Sequence, residues 1–262
     1  MLGAIAGDVI GSIYEFDNIK TTEFALFNLD RNHFTDDSVL SIALADAILN
    51  DKDYGDTMKA YYGRYPKAGY GYMFRKWARE GDSEPYNSWG NGAAMRISAV
   101  GYAFDSLDEV LKKAQQYTKI THNHIEGIMG ASATAAAIFL ARTGHSKADI
   151  RDYIVDTFGY NLDRSCDEIR PHYVFNESCQ ETVPEAIIAF LESNNFEHAI
   201  RLAVSLGGDS DTLTCITGGI AQAFYGAVPV EIANNTLSLL DESLREVTVE
   251  FMQTYCNYNV TP

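Results

Sequence analysis

The chain has 262 residues, 46% of them apolar, with a formal net charge of −16. That length supports one large domain or two small ones, with a core that needs no disulfide or metal staple. So negative a surface repels phosphate backbones, which argues against nucleic acid as a partner while leaving room for a small anion held by a bound cation.

The N-terminal residues 1–7 mimic a secretory leader, but they lack a basic flank and Asp8 interrupts the run. No apolar run approaches the ~20 residues that span a bilayer. Residues 2–13 read as a buried helix in which Gly3, Gly7 and Gly11 line one face. Each glycine costs about 1 kcal/mol in a helix interior, so three on one face point to another backbone packed very close. Asp8 in such a helix needs a partner, as a cap, an ion pair or part of a site. Glu15 ends the helix. Residues 17–34 are irregular and read as a surface loop pinned by Phe24, Phe27 and Phe34.

Residues 36–50 carry the stripe of a core-facing helix: Val39, Leu40, Ala43, Leu44, Ala47 and Ile48. Thr35 and Asp36 suit its N-cap, although capping does not require all four of Thr35-Asp36-Asp37-Ser38. A weaker helix covers about 55–64. The stretch 69–74, mixing glycine and tyrosine, suits either a loop beside a planar ligand or a turn with core aromatics, and a short amphipathic piece follows to Arg79. Residues 81–92 are rich in turn formers, and a helix opens at about Ala93 and runs to Phe104. Glycines just before it would expose N–H groups to an anion, but the spacing is neither a P-loop nor a Rossmann pattern.

Residues 107–119 form an amphipathic helix, with Asp108 and Glu109 in its first turn as the dipole favours. His122 and His124 stand before an alanine-rich helix, 125–142, whose small residues on nearly every face predict a central helix surrounded by others. Ser146 and Asp149 resemble a capping box for a helix to Phe158. Residues 159–180 read as irregular, and Pro184 as the start of a helix to Ser193. A helix over 196–206 leads into Gly207-Gly208-Asp209-Ser210-Asp211-Thr212, another runs from Thr212 to Tyr225, and helical residues after Pro229 close the chain. Nine to eleven helices, no strand, no linker and no solenoid repeat predict one compact all-α domain over residues 1–262. The four cysteines, Cys166, Cys179, Cys215 and Cys256, show neither a C-x-x-C pair nor zinc spacing. They read as reduced residues of a cytoplasmic protein.

Two acidic helix starts stand out. Thr35, Asp36 and Asp37 in one, and Asp209, Asp211 and Thr212 in the other, offer only hard oxygen donors, which suit Mg²⁺, Mn²⁺ or Ca²⁺ and not zinc or copper. If the two meet, four carboxylates repel strongly. One divalent ion would leave the set negative and two would balance it, so charge counting favours a binuclear centre that activates a water and orients substrate oxygens. Each cluster alone is also explained by helix capping.

The sequence resembles the ADP-ribosylglycohydrolase family. The resemblance is carried by residues 7–15 (GDVIGSIYE), 34–38 (FTDDS), 90–96 (GNGAAMR), Thr121-His122 and 207–212 (GGDSDT). It implies an all-α fold with two Mg²⁺ or Mn²⁺ ions at the base of a cleft, held by Thr35, Asp36, Asp37, Asp209, Asp211 and Thr212. It matches Glu15 to an acid that gates the site or takes part in catalysis, with Asp36 and Asp209. It places Asn91 and Gly92 near the phosphates and ribose, and His122 near the ribose. The implied reaction cleaves the glycosidic bond between ADP-ribose and a protein side chain, arginine first, with serine, ester or nucleic-acid linkages open. The substrate is then an ADP-ribosylated protein or a small ADP-ribose conjugate. Tyr70, Tyr72, Phe74 and Trp89 are candidates to stack on adenine or to pack the core. The alternatives are hydrolysis of another nucleotide or ADP-ribose derivative, and a non-catalytic structural relative. The presence of all six ligand residues and Glu15 speaks against the latter.

Overall fold

The structure is a computed structural model that describes residues 1–81 and 84–256. Residues 82 and 83 of the turn-rich connection, and 257–262 at the C-terminus, lie outside the described residues. Among those described there are fifteen α-helices and no strand. They are α1 (Leu2–Gly11), α2 (Asp36–Leu49), α3 (Tyr54–Arg64), α4 (Tyr72–Arg79), α5 (Gly92–Met95), α6 (Ser98–Ala103), α7 (Leu107–Thr118), α8 (Ile125–Arg142), α9 (Lys147–Phe158), α10 (Cys166–Ile169), α11 (Cys179–Glu192), α12 (Phe196–Leu206), α13 (Ser210–Tyr225), α14 (Val230–Leu239) and α15 (Glu242–Tyr255). All four cysteines are free thiols.

The count exceeds the expected nine to eleven for three local reasons. The predicted helix from Ala93 to Phe104 is two, because the chain turns at Arg96 and Ile97 and sends the Arg96 side chain into the core. Within 159–180, Ser165 and Glu168 form a capping box that starts α10. The C-terminal region breaks at Leu240 and restarts with Asp241 as the N-cap of α15. Pro184 also misleads as a start signal: α11 begins five residues earlier, at Cys179, with Pro184 inside it. The proline forfeits the bond its N–H would give to the Gln180 carbonyl, and burial of Val183, Ala186, Ile187 and Phe190 carries the helix through.

α13 and α8 form the centre. α13 is buried almost throughout and packs against α1, α8, α11 and α12. α8 packs against α5, α6, α7, α9, α11 and α13. By length and composition α8 could cross a membrane, contrary to the expectation that no run would, and 72% of that stretch is buried inside the fold. Its alanines suit close helix packing on all sides.

The glycine face of α1 lies directly on α13. A Cβ built at Gly3 would collide with the Gly218 carbonyl, one at Gly7 with the Thr214 carbonyl, and one at Gly11 with the Ser210 carbonyl and the Asp211 backbone. Thr214 Oγ1 donates to the Gly7 carbonyl at 2.7 Å. No other residue type permits this approach. It brings Asp8 on α1 beside the start of α13, which carries the second acidic cluster.

Candidate metal centre and active-site cleft

Asp8 is the first joint of the site. Its carboxylate accepts from Thr35 N at 2.9 Å, Thr35 Oγ1 at 2.7 Å and Ser38 N at 3.1 Å, and also from Ser38 Oγ. It is wholly buried. A carboxylate on one helix thus holds the N-terminus of another, where the dipole favours it. Thr35 is itself the N-cap, accepting from Asp37 N at 3.3 Å. Capping is real here, and it does not use the carboxylates of Asp36 and Asp37, although Thr35 Oγ1 lies 3.4 Å from Asp37 Oδ2.

The second joint is Thr212, whose Oγ1 donates to Asp37 Oδ2 at 3.4 Å, across 175 residues of sequence. The two clusters therefore meet. Gly207 and Gly208 both take φ of +72°, a backbone state that disfavours side chains. Asn18 clamps the turn, accepting from Gly208 N at 2.7 Å and donating to its carbonyl at 2.9 Å. Lys20 donates to the Leu206 carbonyl as well. The loop over 17–34 thus sets the position of Asp209. Asn91 orients that carboxylate from the opposite side, donating to Asp209 Oδ2 at 2.7 Å and also contacting Thr182 Oγ1 at 3.1 Å.

Two triads of carboxylates result. Oxygens of Asp8, Asp37 and Asp211 lie within 4.8 Å of one another, and so do oxygens of Glu15, Asp209 and Asp211. Asp211 belongs to both. Asp36 belongs to neither; it is half-buried on the cleft wall beside Gly69. Asp37 Oδ1 is buried with no hydrogen-bond partner, and among the described residues no lysine or arginine forms an ion pair with any of these acids. An orphaned anionic oxygen amid uncompensated carboxylates fits a hard divalent cation.

Burial drives the electrostatics, and mutual repulsion adds to it. Asp36, Asp37 and Asp211 are held well above the ordinary carboxylate range, first by burial and then by neighbouring acids. Burial raises Asp209 to about 6, against the pull of its hydrogen bonds to Asp211 and Asn91. Burial, and then the Asp211 charge, raise Glu15 to about 8. Acids whose pKa is higher folded than unfolded stabilise the fold below the unfolded value, and that stability is lost as pH rises through the folded value. Without a divalent cation, the melting temperature is expected to fall from about pH 5 to about pH 8. Saturating Mg²⁺ or Mn²⁺ should flatten that fall and add about 2.7 kcal/mol at a hundred times its Kd. Thermal denaturation with and without chelator reads both; a metal-free melting temperature that rises across this window contradicts the crowding.

A cleft of about 370 Å³ opens above these acids. Every site residue expected from the sequence lines it except Thr35, which sits behind Asp37: Glu15, Asp36, Asp37, Asn91, Gly92, His122, Asp209, Asp211 and Thr212 are all on its wall. His122 is 5% exposed and its Nδ1 faces Arg96 and Thr121. His124 caps α8 and packs edge-to-face against Trp89 at 5.7 Å. Tyr70 and Phe74 are buried and stack on each other at 5.1 Å, so core packing accounts for them, although the edge of Phe74 reaches the cleft. Tyr72 is exposed on the cleft wall, and Trp89 lines an adjoining depression. The sequence reading missed Tyr86, Arg96 and Glu177 on the wall. Arg96 ends the GNGAAMR motif and could have been weighed; Glu177, in an irregular segment, gave no signal.

The sequence model described as ADP-ribosylglycohydrolase matches residues 1–257. ADP-ribosylhydrolase ARH3 of Homo sapiens is 25% identical over 86% of this chain and 84% of that protein, and that of Xenopus tropicalis is 25% identical over 86% of each. ADP-ribosylarginine hydrolase Tri1 of Pseudomonas putida (strain GB-1) is 26% identical over 86% of this chain and 69% of that protein. A solved chain from an ADP-ribosylglycohydrolase-related protein complex shares the fold, with a TM-score of 0.71 at 24% identity over 96% of both chains. The family's pattern thus runs through the helices that assemble the acidic floor, and the chain belongs to the ADP-ribosylglycohydrolase family of hydrolases.

Proposed function

We propose that this protein is a binuclear metal-dependent hydrolase that releases ADP-ribose from modified side chains, arginine first, and that it works in the cytoplasm. The observation that carries the reading is the pair of carboxylate triads sharing Asp211. Shared ligation by one carboxylate is how two cations are held close together. Asp37, Asp209 and Asp211 of these triads, with Thr35, Asp36 and Thr212 beside them, would hold Mg²⁺ or Mn²⁺, which would supply Lewis acidity at the sugar hydroxyls and lower the pKa of a water.

The chain's own residues do the remaining work. Asp8 fixes the N-terminus of α2 so that Asp37 cannot swing away. Asn91 holds Asp209 in one orientation. Glu15, which burial and then the neighbouring acids raise to about 8 in the metal-free protein, stands on the cleft wall where a carboxyl group could donate a proton to the departing group as the bond at ribose C1 breaks. Asn91, Gly92 and His122 line the wall that would receive the ribose and phosphates. Glu177 adds a second acid to the wall beside Glu15, and an acidic wall favours a cationic guanidinium over a neutral serine glycoside. The name of the Pseudomonas relative, an ADP-ribosylarginine hydrolase, supports the same acceptor.

Incubated with Mg²⁺ and ADP-ribosylated arginine, the protein is expected to release free ADP-ribose, and chelator should abolish the release. Absence of release from arginine, serine and ester conjugates alike, with either Mg²⁺ or Mn²⁺, refutes the reading.

A further inference from the structure

Arg96 is the largest fully buried side chain in the described protein, 1% exposed. Among the described residues its guanidinium meets no carboxylate. Its NH2 donates to Thr121 Oγ1 at 2.5 Å and lies 3.2 Å from His122 Nδ1. Thr121 Oγ1 in turn lies 2.8 Å from the same Nδ1. Arg96 is also the one lysine or arginine on the cleft wall. A buried cation with only neutral partners is expensive, and its position beside a cleft histidine asks for a reason.

We propose that Arg96 is a positioning residue that locks His122 in its neutral form, with the proton on Nε2 and that N–H presented to the cleft. Arginine has donors and no acceptor, and it does not deprotonate in a protein. A nitrogen in hydrogen-bond contact with it must therefore be an acceptor. That excludes the imidazolium, in which both ring nitrogens donate, and it excludes the tautomer protonated on Nδ1. Thr121 completes the arrangement: its oxygen accepts from Arg96, so its own proton is free to point at Nδ1. One lone pair thus meets two donors, and the ring proton is left on the far nitrogen.

That far nitrogen faces the glycine turn of the cleft. Nε2 lies 3.4 Å from where a Cβ on Gly92 would stand and 3.6 Å from one on Gly90. Nε2 has no protein acceptor among the described residues, whereas Nδ1 has its contacts filled. Tyr86 packs edge-to-face on the ring at 5.5 Å, which limits its rotation. Burial and the adjacent guanidinium hold the imidazole well below its ordinary pKa, in keeping with a neutral ring. The result is a fixed, neutral donor backed by a full positive charge, in a cleft whose other charged residues are all acids. Such a donor suits an oxygen of an anionic ligand. Only the naming of that ligand, as the ribose diphosphate part of ADP-ribose, rests on the function proposed above. The lock itself stands on the geometry.

The test is the ¹⁵N NMR signature of His122 in the substrate-free protein at neutral pH, which separates the imidazolium and the two tautomers. It requires no activity, so it is decided independently of the hydrolase reading. The wild type is expected to show a single species, protonated on Nε2 and bare on Nδ1. An imidazolium or an Nδ1–H tautomer overturns the proposal, and if Arg96→Met fails to fold, Thr121→Val takes its place: it should keep the single Nε2–H species through Arg96 alone, and a mixture there overturns the lock. In Arg96→Met, with folding checked by thermal denaturation, the single species should give way to a mixture. Arg96→Lys, which keeps a donor-only cation, should restore it. An unchanged signature in Arg96→Met means that Thr121 suffices, and the lock is then wrongly assigned.

Discussion

Asp211→Asn is expected to reduce ADP-ribose release by a hundredfold to a thousandfold, the range seen when one charge-stabilising group is lost from an active site, and at the same time to stabilise the metal-free protein. The two effects have one cause. Asp211 is the carboxylate common to both triads, so its charge repels Asp36, Asp37 and Glu15 at once. It has no large structural duty, since its hydrogen bonds are local, from Thr212 N at 2.9 Å and with Asp209 two residues before it. Removing the charge relieves the crowding and weakens cation binding. The melting temperature should rise in chelator, and Mg²⁺ should raise it further by much less than in the wild type. Melting curves and a release assay measure both halves. A variant that loses stability in chelator would make Asp211 a structural residue, and one that keeps full activity would remove it from the site.

Gly7→Val is expected to abolish folding or to cost at least about 4 kcal/mol, a size reserved for severe overpacking in a core. The added Cβ alone would run into the Thr214 carbonyl and stand 2.8 Å from Cys215 N, all of it backbone that cannot yield. Gly63→Ala is the informative contrast. Gly63 sits near the end of α3 with nothing within 4 Å of a built Cβ. There the change should be neutral or stabilising by up to about 1 kcal/mol, through helix propensity alone. Urea denaturation of the two variants compares them directly. Similar effects at both positions would mean that the helices do not cross at Gly7.

What the sequence revealed followed how local its physics was. The capping box at Ser146 and Asp149 is confirmed by its two reciprocal bonds, because all the partners lie within one turn. The glycine face of α1 announced a close neighbour, although nothing in it named α13. The two acidic helix starts were visible, and charge counting asked for cations. Their meeting through Thr212 and Asp37 is a tertiary fact. Asp8 was left between roles, since its partners Thr35 and Ser38 lie on another helix. Arg96 escaped because its work is done through Thr121 and His122, about 25 residues on. Pro184 misled because a start signal and a tolerated defect look alike until the burial around them is known.

The crossing of α1 and α13 also governs when the molecule can form. Gly7 and Thr214 are bonded across 207 residues of chain. During synthesis at about 5–20 residues per second, the first helix would therefore wait roughly 10–40 s for its partner to be made. Until then the face that meets α13 has nothing to cover it, although α2 can already pack against another side, and contacts of such long range are slow to form in any case. The acidic floor depends on the same encounter, so it is assembled near the end of folding. A ribosome-bound chain halted before α13 should hold neither a settled α1 nor any affinity for divalent cations.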